Sequence, residues 1–275
     1  GRTQSSRWFH DAPWLDFNMF QSGHRRYDQR SLDPTGGANN DDPDAETEWK
    51  GEDNWRYVLE DLALTPTRPT LDGEPSYEAI PQGLHDPSQP RWGAADARRY
   101  AWWAVLAGAA GHTYGNNEVM QMYKPGFSPA YDAKRRWDEA IADPGADQMR
   151  HLRSLIESLP YGHGRMADEI LPGNTGTGYA RLVANAGPGY ALVYAYTPQE
   201  ITVDLDAVAR AVSNRGPGGP VAPGTHRART RWYDPASGAF EEIERIELSG
   251  TRSFTPARPN EPGKDTVLVV TVEEE

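Results

Sequence analysis

The stretch Leu71-Asp72-Gly73-Glu74-Pro75-Ser76-Tyr77-Glu78 sets three carboxylates around a glycine, directly after a short extended run and directly before a proline. Two carboxyl groups can divide the cleavage of an acetal between them: one protonates the departing oxygen, and the other attacks or activates water. An acid at the end of a strand stands at the rim of a sheet or barrel, where loops surround it and a ligand can reach it. Glu74 is the better placed nucleophile. Asp72 lies two residues back along the strand and shares its side. Glu78 lies past Pro75 and faces solvent or a substrate hydroxyl. The same stretch also reads as a plain acidic turn, because Asp, Gly and Pro are common turn residues; its neighbours decide between the two.

Other chemistries find less support. No Gly-x-Ser-x-Gly elbow is present for a serine hydrolase. The glycines of residues 173–178 precede no Lys-Ser/Thr pair, and no His-Glu-x-x-His occurs. Asp16, His24 and His112 could meet a metal across strand ends, but such separated polar groups suit a substrate hydroxyl or one another better. Neither a metal nor a cofactor is expected.

Composition narrows the partners. A chain of 275 residues with 37% hydrophobic content is long enough for one large domain or two ordinary ones. A net charge of -12 argues against nucleic acid, which is held mainly by clustered Lys and Arg, and the runs Arg25-Arg26 and Lys134-Arg135-Arg136 are too short to reverse it. Cysteine is absent, which removes disulfides and thiolate metal sites. No stretch approaches the roughly 20 apolar residues of a membrane helix, so no membrane insertion is expected. Nine Trp and 13 Tyr against 6 Phe favour rings that carry a polar atom, a composition suited to sugar clefts and also to ordinary cores.

The elements that position the acids follow from periodicity. Residues 14–20 alternate apolar and polar before Gln21-Ser22-Gly23-His24, which predicts a first strand ending in polar groups. Residues 30–53 lack periodicity and predict a long exposed loop. Trp55, Val58, Leu59 and Leu62 fall at i, i+3, i+4 and i+7, one apolar face of a helix ending before Pro66. A strand over 69–74 follows, then a helix over 94–106 with Ala97, Ala101, Ala104 and Val105 on one face, then a strand over 109–114. Met149, Leu152, Leu155, Ile156 and Leu159 mark a further helix that Pro160 stops. Alternating strands and helices predict parallel strands whose ends share one face. There Asn18, Gln21, His24, Glu74, His112 and Tyr114 would converge.

The texture changes at the Gly-rich linker of residues 173–178, beyond which no strong helical period appears. Strand-like runs over 180–185, 190–196, 201–205, 229–233 and 266–272 predict a small antiparallel β-sandwich. Residues 214–224 read as a loop within it, and Glu273-Glu274-Glu275 as a solvated tail.

Trp14 to His24, Leu71 to Glu78 and Ala107 to Gly115, in that order, resemble the apiosidase-like glycoside hydrolases, glycoside hydrolase family 140. The likeness continues through Trp137-Asp138-Glu139-Ala140 and Gln148 to Arg153. Trp232-Tyr233-Asp234-Pro235 resembles the collagen-binding-like β-domain fused to that family. The resemblance implies α/β plus all-β architecture: the C-terminal part of a (β/α)8 TIM barrel, about strands 6 to 8, over residues 1–172, then the β-sandwich over 179–275. It implies Glu74 on the seventh strand as nucleophile. Asn18, Gln21, His24, Asp72, Tyr77, Glu78, His112 and Tyr114 would bind substrate. The family's second carboxylate, an aspartate from an earlier strand, has no counterpart here, so the segment alone is expected to be inactive. The implied activity is a furanosidase on plant or microbial polysaccharide, outside the cell or in the periplasm. The alternative is a non-catalytic carbohydrate-binding or scaffold protein.

Overall fold

The computed structural model of the chain describes residues 4–23, 51, 53–82, 84, 86–173, 175–213 and 227–273. His24, the Arg25-Arg26 run, nearly all of the expected loop over 30–53, the stretch 214–224 and Glu274-Glu275 lie outside the described residues. The chain divides into two compact units, Gly1–Val105 with Ala109–Met149, and Leu106–Gly108 with Arg150–Glu275.

In the first unit the elements are α1 (Ser6–Phe9), β1 (Asn18–Phe20), α2 (Asn54–Leu62), β2 (Thr70–Asp72), α3 (Ala94–Leu106), β3 (Gly111–His112), α4 (Asn117–Met120) and α5 (Trp137–Ala140), with α6 (Pro144–Glu157) starting there. The three strands form a parallel sheet with β2 in the centre. Parallel neighbours need a crossover, which α2 and α3 provide. The register sets Phe20 and His112 on either side of Asp72. Bonds from Gly73 N to Phe20 O (2.9 Å), Gly23 N to Glu74 O (2.9 Å) and Thr113 N to Asp72 O (3.0 Å) carry that alignment past the strand ends. The ends of all three strands therefore lie together.

Two elements pack otherwise than their patterns suggest. In α2 the inward residues are Asn54, Tyr57, Val58 and Asp61, not the stripe of Trp55, Leu59 and Leu62. Polar groups face inward because they are bonded: Asp61 accepts from Ser6 Oγ (2.5 Å), Thr70 Oγ1 (2.6 Å) and Gln4 Nε2 (3.2 Å), which ties α2 to β2. In β1, Asn18 and Phe20 are buried while Met19, and Phe17 just ahead of the strand, are half exposed. Phe20 stacks on Tyr57 with ring centroids 5.3 Å apart, and that contact fixes the inward parity. Helix α3 runs over the expected span and is buried from Ala97 to its end, with the Arg99 guanidinium set against the Tyr100 and Trp103 rings.

The second unit holds β4 (Arg165–Met166), β5 (Leu182–Gly187), β6 (Tyr190–Ala195), β7 (Ile201–Asp204), α7 (Leu205–Ser213), β8 (Arg227–Tyr233), β9 (Phe240–Glu247), β10 (Thr251–Phe254) and β11 (Thr266–Val272). Six strands form one antiparallel sheet in the order β4-β5-β6-β11-β8-β9, and β10 pairs with β7 in a two-stranded ribbon. The layer against the large sheet is thus a ribbon plus a helix, where two strand layers were expected. α7 corrects the expectation that no helix follows the linker: Leu205, Val208, Ala209 and Val212 fall at i, i+3, i+4 and i+7 and are buried. The core combines them with Ala184, Val193, Ile201, Val203, Phe254 and Leu268. β4 pairs with β5 through Arg165 and Ala186, so this sheet begins ahead of the 173–178 stretch.

Candidate active site

Glu74 lies two residues past the last residue of β2, at the aligned strand ends, and is half-buried. Gln21, just past β1, donates from Nε2 to Glu74 Oε1 at 2.8 Å. The two strands approach closely enough that a Cβ on Gly23 would sit 2.3 Å from the Pro75 carbonyl carbon, so glycine alone fits there. Tyr77 completes the cluster: burial first, and then the negative charge of Glu74, raise its hydroxyl above the ordinary tyrosine range. Its ring fills the space that a side chain at residue 115 would take, since a Cβ there would meet Tyr77 Cδ1 at 2.1 Å. Gln21, Glu74 and Tyr77 are the expected residues that the fold brings together.

Asp72 is the first correction. Its carboxylate is fully buried on the central strand rather than open at the rim. Oδ2 accepts from Ser22 Oγ at 2.5 Å and from Asn54 Nδ2 at 3.2 Å. Burial pushes the carboxyl up to about 7, against those hydrogen bonds, which lower it. His112 lies beside it, with Nδ1 4.0 Å from Asp72 Oδ2 and a side chain only 5% exposed. Burial pulls the imidazole down to about 3, so it is neutral near neutral pH.

Glu78 and Tyr114 form a separate pair rather than facing solvent. Tyr114 donates its hydroxyl to Glu78 Oε2 at 2.7 Å, and the Gly145 amide in the first turn of α6 donates to the same oxygen at 3.0 Å. Burial first, with the charge of Asp143 added, raises the Glu78 carboxyl, while its two hydrogen bonds oppose the rise. A cavity of about 440 Å³ opens beside this pair, lined among others by Arg91, Trp92, Glu118 and Asp143; Glu74 does not line it. Asn18 stands at the start of β1, buried against His10 at 3.2 Å, and so lies away from the strand ends.

Sequence reasoning passed over two residues of this site, Ser22 and Asn54. Ser22 lay within the polar end of the first strand and was legible there. Asn54 was hidden, because a polar residue at the start of a helix ordinarily reads as solvated.

Residues 1–163 match the family model described as "Apiosidase-like, catalytic domain". The chain belongs to the apiosidase-like family. Residues 223–271 match the model described as "Putative collagen-binding domain of a collagenase". One solved structure, described as a glycoside hydrolase, is 39% identical, with a TM-score of 0.82, and the match covers 98% of this chain and 56% of that one. A second, described as a glycoside hydrolase family 5 protein from Bacteroides vulgatus, is 37% identical, also with a TM-score of 0.82, over 98% of this chain and 53% of that one. This apiosidase-like chain therefore spans about half the length of the solved structures it matches. The comparison with curated proteins found no match. Family membership makes the chain glycoside hydrolase-like. Among the described residues, no helix is long and apolar enough to cross a membrane.

Proposed function

We propose that this chain is part of an apiosidase-like furanosidase of family 140 and that Glu74 is its nucleophile. The observation that carries the reading is the half-buried Glu74 carboxylate at the end of the central parallel strand, held by Gln21 at 2.8 Å beside Tyr77, within the segment that the catalytic-domain model covers. A carboxylate fixed in this way by a hydrogen bond keeps its charge and its aim, both of which a nucleophile needs.

Three parallel strands with crossover helices, and the half-exposed Phe17 and Met19 on the edge strand, support the reading that the first unit is the last part of a (β/α)8 barrel. The partner acid is then an aspartate from an earlier strand of the complete enzyme. It protonates the leaving oxygen while Glu74 attacks the anomeric carbon, and it later activates the water that releases the sugar. The substrate is a plant or microbial polysaccharide, which places the enzyme outside the cell or in the periplasm. In the complete enzyme, Glu74→Gln is expected to lower kcat about a thousandfold or more with KM within a few fold. Near wild-type turnover by that variant would sink the assignment.

A further inference from the structure

Ser22 and Asp72 make the neighbouring cross-tie to Gln21 and Glu74. The same two strand ends are joined twice, by Gln21 to Glu74 at 2.8 Å and by Ser22 to Asp72 at 2.5 Å. Asn54 brings α2 into the tie, donating both to Asp72 Oδ2 (3.2 Å) and to the Tyr100 carbonyl of α3 (2.9 Å). The backbone amides of Ser22 and Glu74 also favour the charged form of the Asp72 carboxyl. Among the described residues, its bonded and nearest side chains are neutral: Ser22 from the end of β1, Asn54 from α2 and the imidazole of His112 from β3. Glu74 is the charged group nearest along its own strand. Asp72 Oδ1 and both ring nitrogens of His112 have no hydrogen-bond partner among the described residues. A proton on Oδ1 therefore leaves both Oδ2 bonds in place.

We propose that Asp72 is a positioning residue that locks the ends of β1 and β2 to each other, and with them the Gln21–Glu74 bond. This rests on the reading of Glu74 given above. A carboxyl pushed up to about 7 beside an imidazole pulled down to about 3 keeps its proton in mildly acidic solution. When it ionises, a buried charge stands two residues from Glu74, which disfavours the ionised nucleophile.

Carbon-13 and nitrogen-15 NMR of the chain tests the lock without any need for turnover. The Asp72 carboxyl is expected to titrate near pH 7, and the Gln21 side-chain amide to follow the same midpoint. Ser22→Ala removes a bond that favours the ionised form, so the midpoint should rise. In Asp72→Asn the step in the Gln21 signal near pH 7 should vanish. If Asp72→Asn does not fold, the Ser22→Ala shift decides. A midpoint near that of an ordinary aspartate, no rise in Ser22→Ala, or a Gln21 step near pH 7 that persists in Asp72→Asn would overturn the proposal. In the complete enzyme, Ser22→Ala should lower kcat about tenfold with KM within about twofold, as loss of one hydrogen bond to a carboxyl does, and move the alkaline limb of kcat upward. An unmoved limb counts against the lock. A wild-type enzyme that cleaves no glycoside would overturn the nucleophile reading instead, and the NMR midpoints would still decide the lock.

Discussion

Glu74 and Asp72 stand two residues apart at the end of one strand, and their surroundings give them opposite duties: one is half-buried and accepts from Gln21, the other is sealed between β1, α2 and β3. Gln21→Leu removes a hydrogen bond to a charged carboxylate, for which a loss of roughly 10- to 100-fold in kcat is expected. The acidic limb of the rate profile should rise, because that bond favours the charged form; steady-state kinetics across pH checks both effects. The Asp72–His112 pair has a thermodynamic signature of its own. Asp72, raised from 3.8 to about 7, holds a proton in the folded state that the unfolded chain has released. Its contribution to stability is complete below about pH 4 and is lost as pH rises to about 7. His112, lowered from 6.5 to about 3, runs the other way: its contribution is complete above about 6.5 and is lost as pH falls towards 3. Between about pH 4 and 6.5 the two slopes offset each other, and each single substitution unmasks the other residue. Urea unfolding should show His112→Gln losing stability as pH rises through that window and Asp72→Asn gaining it, each by up to about 1.4 kcal/mol per pH unit.

At the scale of elements, the strand ends matter more than the strands, because β1 and β2 are three residues long and β3 is two. Tyr77 is held against Gly115 in the chain leaving β3, so Gly115→Ala displaces the Tyr77 ring. A loss of roughly 1–3 kcal/mol is expected in thermal or urea unfolding, the usual cost of overpacking, together with reduced turnover. The span of α3 was legible because an Ala- and Trp-rich run with Asp96 in its first turn has one sensible reading. The inward face of α2 was not, because hydrophobicity cannot announce that Asn54 and Asp61 are buried by virtue of their hydrogen-bond partners. The same blindness made Asp72, Glu78 and His112 look like rim residues, while Gln21 and Glu74 were read from strand ends and Tyr77 from the family resemblance. Strand β9 went unread because Glu241, Glu242, Glu244, Arg245 and Glu247 break any alternation. It is an edge strand, with Arg229–Glu242 and Arg252–Glu244 ion pairs, and charge is what an edge strand tolerates and uses.

At the scale of the molecule, two compact units each carry a core, so heating should produce two transitions rather than one. Leu268→Ala, at a fully buried site of the second unit, is expected to cost about 2–5 kcal/mol and to lower one calorimetric transition while leaving the other in place. The units differ in what the sequence revealed of them. The antiparallel sheet declared itself in short apolar runs such as Tyr190–Ala195 and residues 267–270, bounded by turn residues, as buried strands read. The parallel sheet was found from the alternation of strands with helices. The central claim is that Glu74 forms the covalent bond to the sugar, and a fluorinated furanoside inactivator applied to the complete enzyme, followed by peptide mapping in a mass spectrometer, tests it most directly. One glycosyl group on the peptide that carries Glu74, with turnover lost in step, is the predicted result. A label on another carboxylate, or turnover lost with Glu74 unmodified, would contradict it.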